Sequence, residues 1–210
     1  TVHFDGRKFR MWFGSGSIDY AESVDGQAWT VVETGVFGAS GVQGTFDFYS
    51  VLYPSVVRTE DGWALYYAGF DGRTYAIGRA LSTDGVAWTR PAEPVLSKGS
   101  STAFDNAAVA QPRVVPTSDG YLMWYGGYDT RLTNPGPWRV GLAESADGVA
   151  WTRRGVSVDL PPSGAAGPDA YSTRDPAVLP FGDGWLLVYV GMGSDSRYRL
   201  LWATSDVCVR

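Results

Sequence analysis

The chain has 210 residues, a net charge of −5, 14% aromatic residues and 19% charged residues. That length suffices for one domain with a sizeable core, and the aromatic-rich balance suits pleated, half-buried β-structure. The absence of a basic run argues against a nucleic-acid partner. No apolar run nears the ~20 residues of a membrane-spanning helix, and one Cys with one His gives neither an internal disulfide nor an ordinary zinc set.

Residues 1–32 read as an antiparallel meander. A turn at Asp5-Gly6 precedes strands over 8–13 and 18–23, then a turn at Asp25-Gly26 and a strand over 28–32. The second unit holds strands over 51–57, 63–69, 75–81 and 87–90, separated by Asp-Gly turns. The third holds strands over 109–115, 121–126, 139–144 and 150–153, with a long loop around 134–137. The fourth holds strands over 175–179, 185–190 and 199–203. No segment has a helical period.

One stretch recurs. Ser82-Thr83-Asp84-Gly85-Val86-Ala87-Trp88-Thr89-Arg90 returns as Ser145-Ala146-Asp147-Gly148-Val149-Ala150-Trp151-Thr152-Arg153. An earlier copy runs from Ser23 to Thr30, and Ala203-Thr204-Ser205-Asp206 is a remnant. Asp-Gly makes a hairpin turn, Ser caps it, and Trp is expected to bury between blades, so the motif reads as structural. A four-stranded meander with one apolar face must stack on copies of itself, and radial stacking gives a β-propeller of about 4–8 blades. The prediction is an all-β β-propeller of four-stranded antiparallel blades, a single domain over 1–210. Its blades lie near 1–32, 47–91, 105–154 and 169–210, the first and last incomplete. The chain is thus expected to be a fragment of a five-bladed parent.

A second register supports this. Pro54, Pro112 and Pro176 each follow an aspartate by seven residues: Asp47, Asp105 and Asp169. The residues before these prolines, Tyr53, Gln111 and Asp175, should occupy one equivalent inner-strand position. Recurrence of the aspartates favours a structural role in the links between blades, and the same links also reach the face where a ligand would enter. A third recurrence is Asp71-Gly72-Arg73, Asp129-Thr130-Arg131 and Asp195-Ser196-Arg197. It reads as a local acid–arginine pair in each blade or as an arginine ring for an anionic sugar or phosphate. His3 falls in the first turn with no visible partners, and Cys208 is terminal.

The pattern F-D-x-x-x-V-x-x-P-x-V-V, then M-W-Y-G-G and I-G-x-A-x-S-x-D-G-x-x-W-T-R, resembles the five-bladed propellers of the arabinanase, levansucrase and invertase type, glycoside hydrolase families 43, 68 and 32. The resemblance implies a funnel on the central axis with three carboxylates: a base or nucleophile Asp, a second Asp that fixes substrate and tunes pKa, and a Glu acid. The second Asp often sits in an Arg-Asp-Pro motif, which Arg174-Asp175-Pro176 matches. It implies a glycan-active enzyme, most simply a glycosidase of furanosides or related glycosides. Hydrolysis needs one carboxyl to protonate the leaving oxygen and another to attack or to activate water. Only Asp175 is acidic among the three inner positions, which leaves two alternatives standing: a non-catalytic carbohydrate-binding propeller and a protein-interaction scaffold.

Asp175 is therefore the candidate catalytic residue. Tyr53, Gln111, Arg174, Trp138, Asp47, Asp105 and Asp169 are candidate substrate contacts. Trp138 would roof the funnel, or else pack on its own loop. A carbohydrate or glycoside is the expected partner. No cofactor is expected, although an oxygen-only calcium site in the central channel stays open. Secreted and cytoplasmic locations fit equally, and oligomeric state is not legible.

Overall fold

The computed structural model describes residues 1–131, 138–156 and 167–205. The segment 134–137, Asp206 and Cys208 lie outside the described residues. The fold is the expected β-propeller, all-β and built of antiparallel blades, with no helix among the described residues. None of those residues therefore forms a helix long and apolar enough to cross a membrane.

The chain divides into two compact units, 1–96 and 97–210. The first carries β1 (Val2–Phe4), β2 (Phe9–Phe13), β3 (Ser15–Gly16), β4 (Ile18–Ser23), β5 (Thr30–Phe37), β6 (Ser50–Thr59), β7 (Gly62–Phe70) and β8 (Tyr75–Ser82). One sheet has the order β1-β2-β4-β5 and the other β3-β6-β7-β8. The strand expected over 87–90 is only one isolated bridge, Leu81 to Thr89, with a second, Ile77 to Leu96, further along the chain. Pro91 and Pro94 explain this, because each lacks the N–H that a ladder requires.

Between these two sheets lies a core of Trp12, Ile18, Tyr20, Phe37, Val51, Val56, Leu65 and Tyr67. Trp12 Nε1 donates to the carbonyl of Gly85 at 2.7 Å, so the middle strand of one blade is tied to the hairpin turn of the next. The motif tryptophans were expected to be the buried ones. Instead Trp29, Trp88 and Trp151 are half-buried, and Trp12 with Trp63 fills the space between the blades. His3 also departs from expectation. It lies on β1, its Nε2 is 2.6 Å from the Val56 carbonyl oxygen, and its ring meets Trp12 and Trp63 edge-on.

The second unit carries β9 (Ala108–Thr117), β10 (Gly120–Tyr128), β11 (Trp138–Ser145), β12 (Thr152–Val156), β13 (Ser172–Phe181), β14 (Gly184–Met192) and β15 (Tyr198–Ser205). Its sheets have the orders β9-β10-β11-β12 and β13-β14-β15, the latter three-stranded among the described residues. Leu122, Trp124, Val140, Val178, Leu187 and Tyr189 pack between them. Polar bonds cross the same seam. Val140 N donates to Thr173 Oγ1 at 3.0 Å, and the Arg139 guanidinium donates to the Tyr171 carbonyl at 2.8 Å.

Candidate functional site

The three residues before the prolines share one backbone state. Tyr53, Gln111 and Asp175 have φ of 55°, 56° and 53°, in the left-handed region that side chains other than glycine avoid. Each lies in a bulge. The ladder jumps between Leu52 and Ser55, between Ala110 and Arg113, and between Arg174 and Ala177. Two residues thus stand opposite a single tyrosine on the next strand, Tyr67, Tyr125 or Tyr189. Proline suits this position because it leaves no ladder donor unsatisfied. Strain of this kind costs about 1–3 kcal/mol per site, and it re-aims the side chain out of the pleat.

The same tyrosines hold the recurrent aspartates. Tyr67 donates to Asp47 at 2.8 Å, Tyr125 to Asp105 at 3.0 Å and Tyr189 to Asp169 at 2.9 Å, each across a separation of 20 residues. Burial, with the facing carboxylate in support, pushes all three phenol pKa values up, so the hydroxyls stay protonated donors. The arginine after the repeated Trp-Thr completes two of these sets. Arg90 pairs with Asp47, and Arg153 Nε with Asp105 at 2.8 Å. Arg90 also bonds the Gly38 carbonyl, and Arg153 the Ser97 carbonyl, fastening the link before each blade. Phe46 and Phe104, just before the aspartates, lie over Gly69 and Gly127, where a Cβ would come within 2.7 Å or 2.4 Å of the ring. Asp47, Asp105 and Asp169 are all buried.

In the second unit the first strands of the two blades adjoin at the bulges. The backbone N–H of Asp175 donates to Gln111 Oε1 at 3.2 Å. Gln111 is buried, and its amide lies with the Trp138 ring above Gly126. A Cβ there would sit 2.4 Å from Gln111 Oε1 and 3.0 Å from Trp138 Cε3. Trp138 opens β11 and packs on Tyr128, with ring centroids 5.3 Å apart. Arg174 lies over Tyr198 at 4.5 Å, and its Nε is 3.6 Å from Asp175 Oδ2, too far for a hydrogen bond. That Nε is buried and has no hydrogen-bond partner among the described residues.

The structure therefore brings together Asp175, Gln111, Trp138 and Arg174. Tyr53 has the same backbone geometry in the first unit and is exposed. The Asp175 side chain is 39% exposed, yet burial raises its pKa above the ordinary aspartate range, with the Arg174 charge opposing this more weakly. An indole face, a primary amide, a guanidinium and a carboxyl whose pKa burial raises suit a polyhydroxylated ligand. Among the described residues no three His, Cys, Asp or Glu side chains group as a metal site.

The loop arginines differ from blade to blade. Asp129 is buried and bonds Arg131 through Nε and a terminal nitrogen, which holds its pKa well below the usual range. Asp195 pairs with Arg199, and Asp71 accepts the backbone N–H groups of Arg73 and Thr74. Sequence reading missed the tyrosines and arginines bound to the aspartates. The signal was available in the constant aspartate–tyrosine spacing and in the arginine after Trp-Thr in two copies.

No family model matches the chain. An uncharacterized protein of Mycobacterium tuberculosis (strain CDC 1551 / Oshkosh) is 26% identical over 215 residues, covering 98% of this chain and 68% of that protein. A 1,2-beta-oligomannan phosphorylase of Thermoanaerobacter sp. (strain X514) is 33% identical over 85 residues, 40% of this chain and 27% of the relative. Among solved structures, a family 117 glycoside hydrolase of the marine bacterium Zobellia galactanivorans superposes with a TM-score of 0.73 at 16% identity, over 96% of this chain and 64% of that chain. A structure from the GH130 family of mannoside phosphorylases, which contains glycoside hydrolases that target beta-1,2 mannosidic linkages in Candida mannan, superposes at 0.71 with 20% identity, over 99% and 66%. At these identities the structural likeness establishes the fold, and it is a likeness to glycoside hydrolase propellers.

Proposed function

We propose that this chain belongs to a glycan-active propeller in which Asp175 donates a proton to the departing oxygen of a glycosidic bond. The observation that carries the reading is Asp175 itself: an acid on a strained bulge, shifted toward its protonated form, beside Gln111 and Trp138. Gln111 and Arg174 would hold sugar hydroxyls, and Trp138 would stack on a ring face. Proton transfer from Asp175 lets the C–O bond break with its electron pair on oxygen, and a nucleophile then closes on the anomeric carbon. The five-bladed parent implied by the sequence pattern belongs to this proposal, and no cofactor enters the step.

Hydrolysis of a furanoside or related glycoside is the first reading of the nucleophile. A specific observation favours a second. Hydrolysis requires another carboxylate to take the proton of water, whereas Asp105, Asp169 and Asp129 are held by Tyr125, Tyr189 and Arg131. Phosphate needs no such base, because it is already an anionic nucleophile. Phosphorolysis also accords with the 33% identity to a 1,2-beta-oligomannan phosphorylase.

The test is turnover of nitrophenyl furanosides, nitrophenyl mannosides and β-1,2-linked mannobiose, with and without phosphate. Turnover without phosphate supports hydrolysis, and turnover only with phosphate supports phosphorolysis. Asp175→Asn is expected to lower the rate by roughly 10²–10⁴-fold, the usual range for a lost general acid. The alkaline limb of the wild-type profile should lie above the ordinary aspartate pKa, since activity falls as the raised Asp175 group loses its proton. Binding without turnover, weakened by Trp138→Ala, would leave a carbohydrate-binding module. No binding of any member would end the glycan reading.

A further inference from the structure

A polar cleft lies in the first unit, apart from Asp175 and the residues beside it. Its volume is about 440 Å³, and its lining includes His3, Asp5, Arg7, Arg10, Arg58 and Trp63. Three guanidiniums thus meet one carboxylate in a protein whose net charge is −5. That carboxylate is fully engaged. Asp5 Oδ1 accepts the backbone N–H groups of Arg7 and Lys8 at 3.0 Å each, and Oδ2 accepts Arg10 Nε at 2.9 Å. These bonds hold the Asp5 pKa down at about 2, so the group carries a constant single charge. Arg7 and Arg58 have no carboxylate within ion-pair reach among the described residues. Lys8, the other nearby cation, is paired with Glu22 at 2.6 Å.

The arginines are also placed in advance. The Arg58 guanidinium lies 4.7 Å from the Trp63 ring centroid and that of Arg10 lies 5.8 Å from it. Stacking on an indole fixes the plane of a guanidinium and leaves its N–H edge for an acceptor. Trp63 is buried among Trp12 and the His3 ring, so the platform is rigid. With one carboxylate against three guanidiniums, the excess like charge repels, and an anion relieves that repulsion through charge-assisted hydrogen bonds.

We propose that this cleft binds a dianionic tetrahedral oxyanion, either inorganic phosphate or the phosphate group of an ester. The three arginines less Asp5 match two negative charges. Arg58 presents its edge from the Trp63 platform, and exposed Arg7 closes from the β1–β2 turn; Arg10, held by Asp5 through Nε and by the Asp84 carbonyl through one terminal nitrogen, offers its other terminal nitrogen. The site is independent of the glycan reading, since neither Asp175 nor any residue beside it takes part.

The test is thermal unfolding and titration calorimetry of the full chain with inorganic phosphate, sulfate, a hexose 6-phosphate and the uncharged hexose, each against sodium chloride at equal ionic strength. The oxyanions are expected to raise Tm beyond the salt control and the uncharged hexose is not. Tighter binding of the hexose phosphate than of phosphate would identify an ester as the natural source, and the reverse would identify the free ion. Arg58→Gln and Arg7→Gln should each weaken binding by about tenfold or more, the loss of one charge-assisted bond. Arg73→Gln, outside the cleft, should not. If Arg58→Gln disturbs Trp63, seen in near-ultraviolet circular dichroism, Arg7→Gln carries the test alone, because its side chain is exposed. A Tm shift matched by sodium chloride, or unchanged in Arg7→Gln, would overturn the proposal.

Discussion

At Tyr125 two functions of one residue position meet. Its hydroxyl holds buried Asp105, while its backbone stands opposite the bulge that turns Gln111 out of the sheet. Removing the hydroxyl leaves Asp105 with Arg153 alone, and Asp105 Oδ1 already has no hydrogen-bond partner among the described residues. Tyr125→Phe is therefore expected to lower stability by about 1–3 kcal/mol, measured as a fall in urea midpoint at constant slope. Asp175 should act in the opposite sense. Folding raises its pKa, so the stability its protonated form contributes is lost as pH rises from the ordinary aspartate range through the raised value. The Asp175→Asn protein should match the wild-type Tm in acid and exceed it near neutrality. The sequence singled out Asp175, Gln111 and Tyr53 because the prolines align. It hid the tyrosines, since a phenol in a hydrophobic run reads as core until the register reveals what lies opposite.

The repeated hairpin shows how an element is specified. Ser23, Ser82 and Ser145 each accept the glycine N–H at 2.8–2.9 Å. Asp25, Asp84 and Asp147 each accept two further backbone N–H groups at 2.8–2.9 Å. Those donors hold the aspartate pKa values below the usual range. All of this is local and was legible in the sequence. The contact of the turn with its neighbour was not. Gly85, at φ 83°, approaches Trp12 so closely that a Cβ would lie 2.8 Å from Cζ2, while at Gly26, φ 73°, the nearest atom is a Phe9 carbon at 3.4 Å. Both alanine substitutions incur left-handed strain of about 1–2 kcal/mol. Gly85→Ala should lower Tm further than Gly26→Ala, because only it displaces a buried tryptophan, and tryptophan fluorescence should report the displacement. Trp-Thr-Arg at 88–90 has strand character, but the two prolines that follow decide against a ladder, so the stretch 87–90 makes only the Thr89 bridge.

Across the whole molecule, acid should act mainly through carboxylates whose pKa values are lowered on folding. Asp5 and Asp195 sit at about 2, with backbone N–H groups leading at Asp5 and Arg199 leading at Asp195, and Asp129 lies lower still beside Arg131. The stability these groups contribute is full above the unfolded aspartate pKa and is lost as pH falls through the folded values. Tm is expected to hold from neutrality to about pH 4 and to fall steeply between there and pH 2, with carboxylate titration followed by NMR. A plateau through pH 2 would show these bonds to be energetically idle. At this scale the repeat made the architecture readable: blade count, strand order and Asp-Gly turns all follow from aligning the copies. The cationic cleft did not emerge that way, since Arg7, Arg10 and Arg58 recur in no register and meet only through the fold.

Tyrosine, glutamine and aspartate occupy the three bulges with φ values that agree within a few degrees. The proline behind each residue and the clamped tyrosine opposite it set the backbone, so the side chain itself contributes little to holding that shape. Each bulge is in effect a socket. Natural selection, or a protein engineer, can exchange the chemistry seated there one residue at a time while the blade that carries it stays the same.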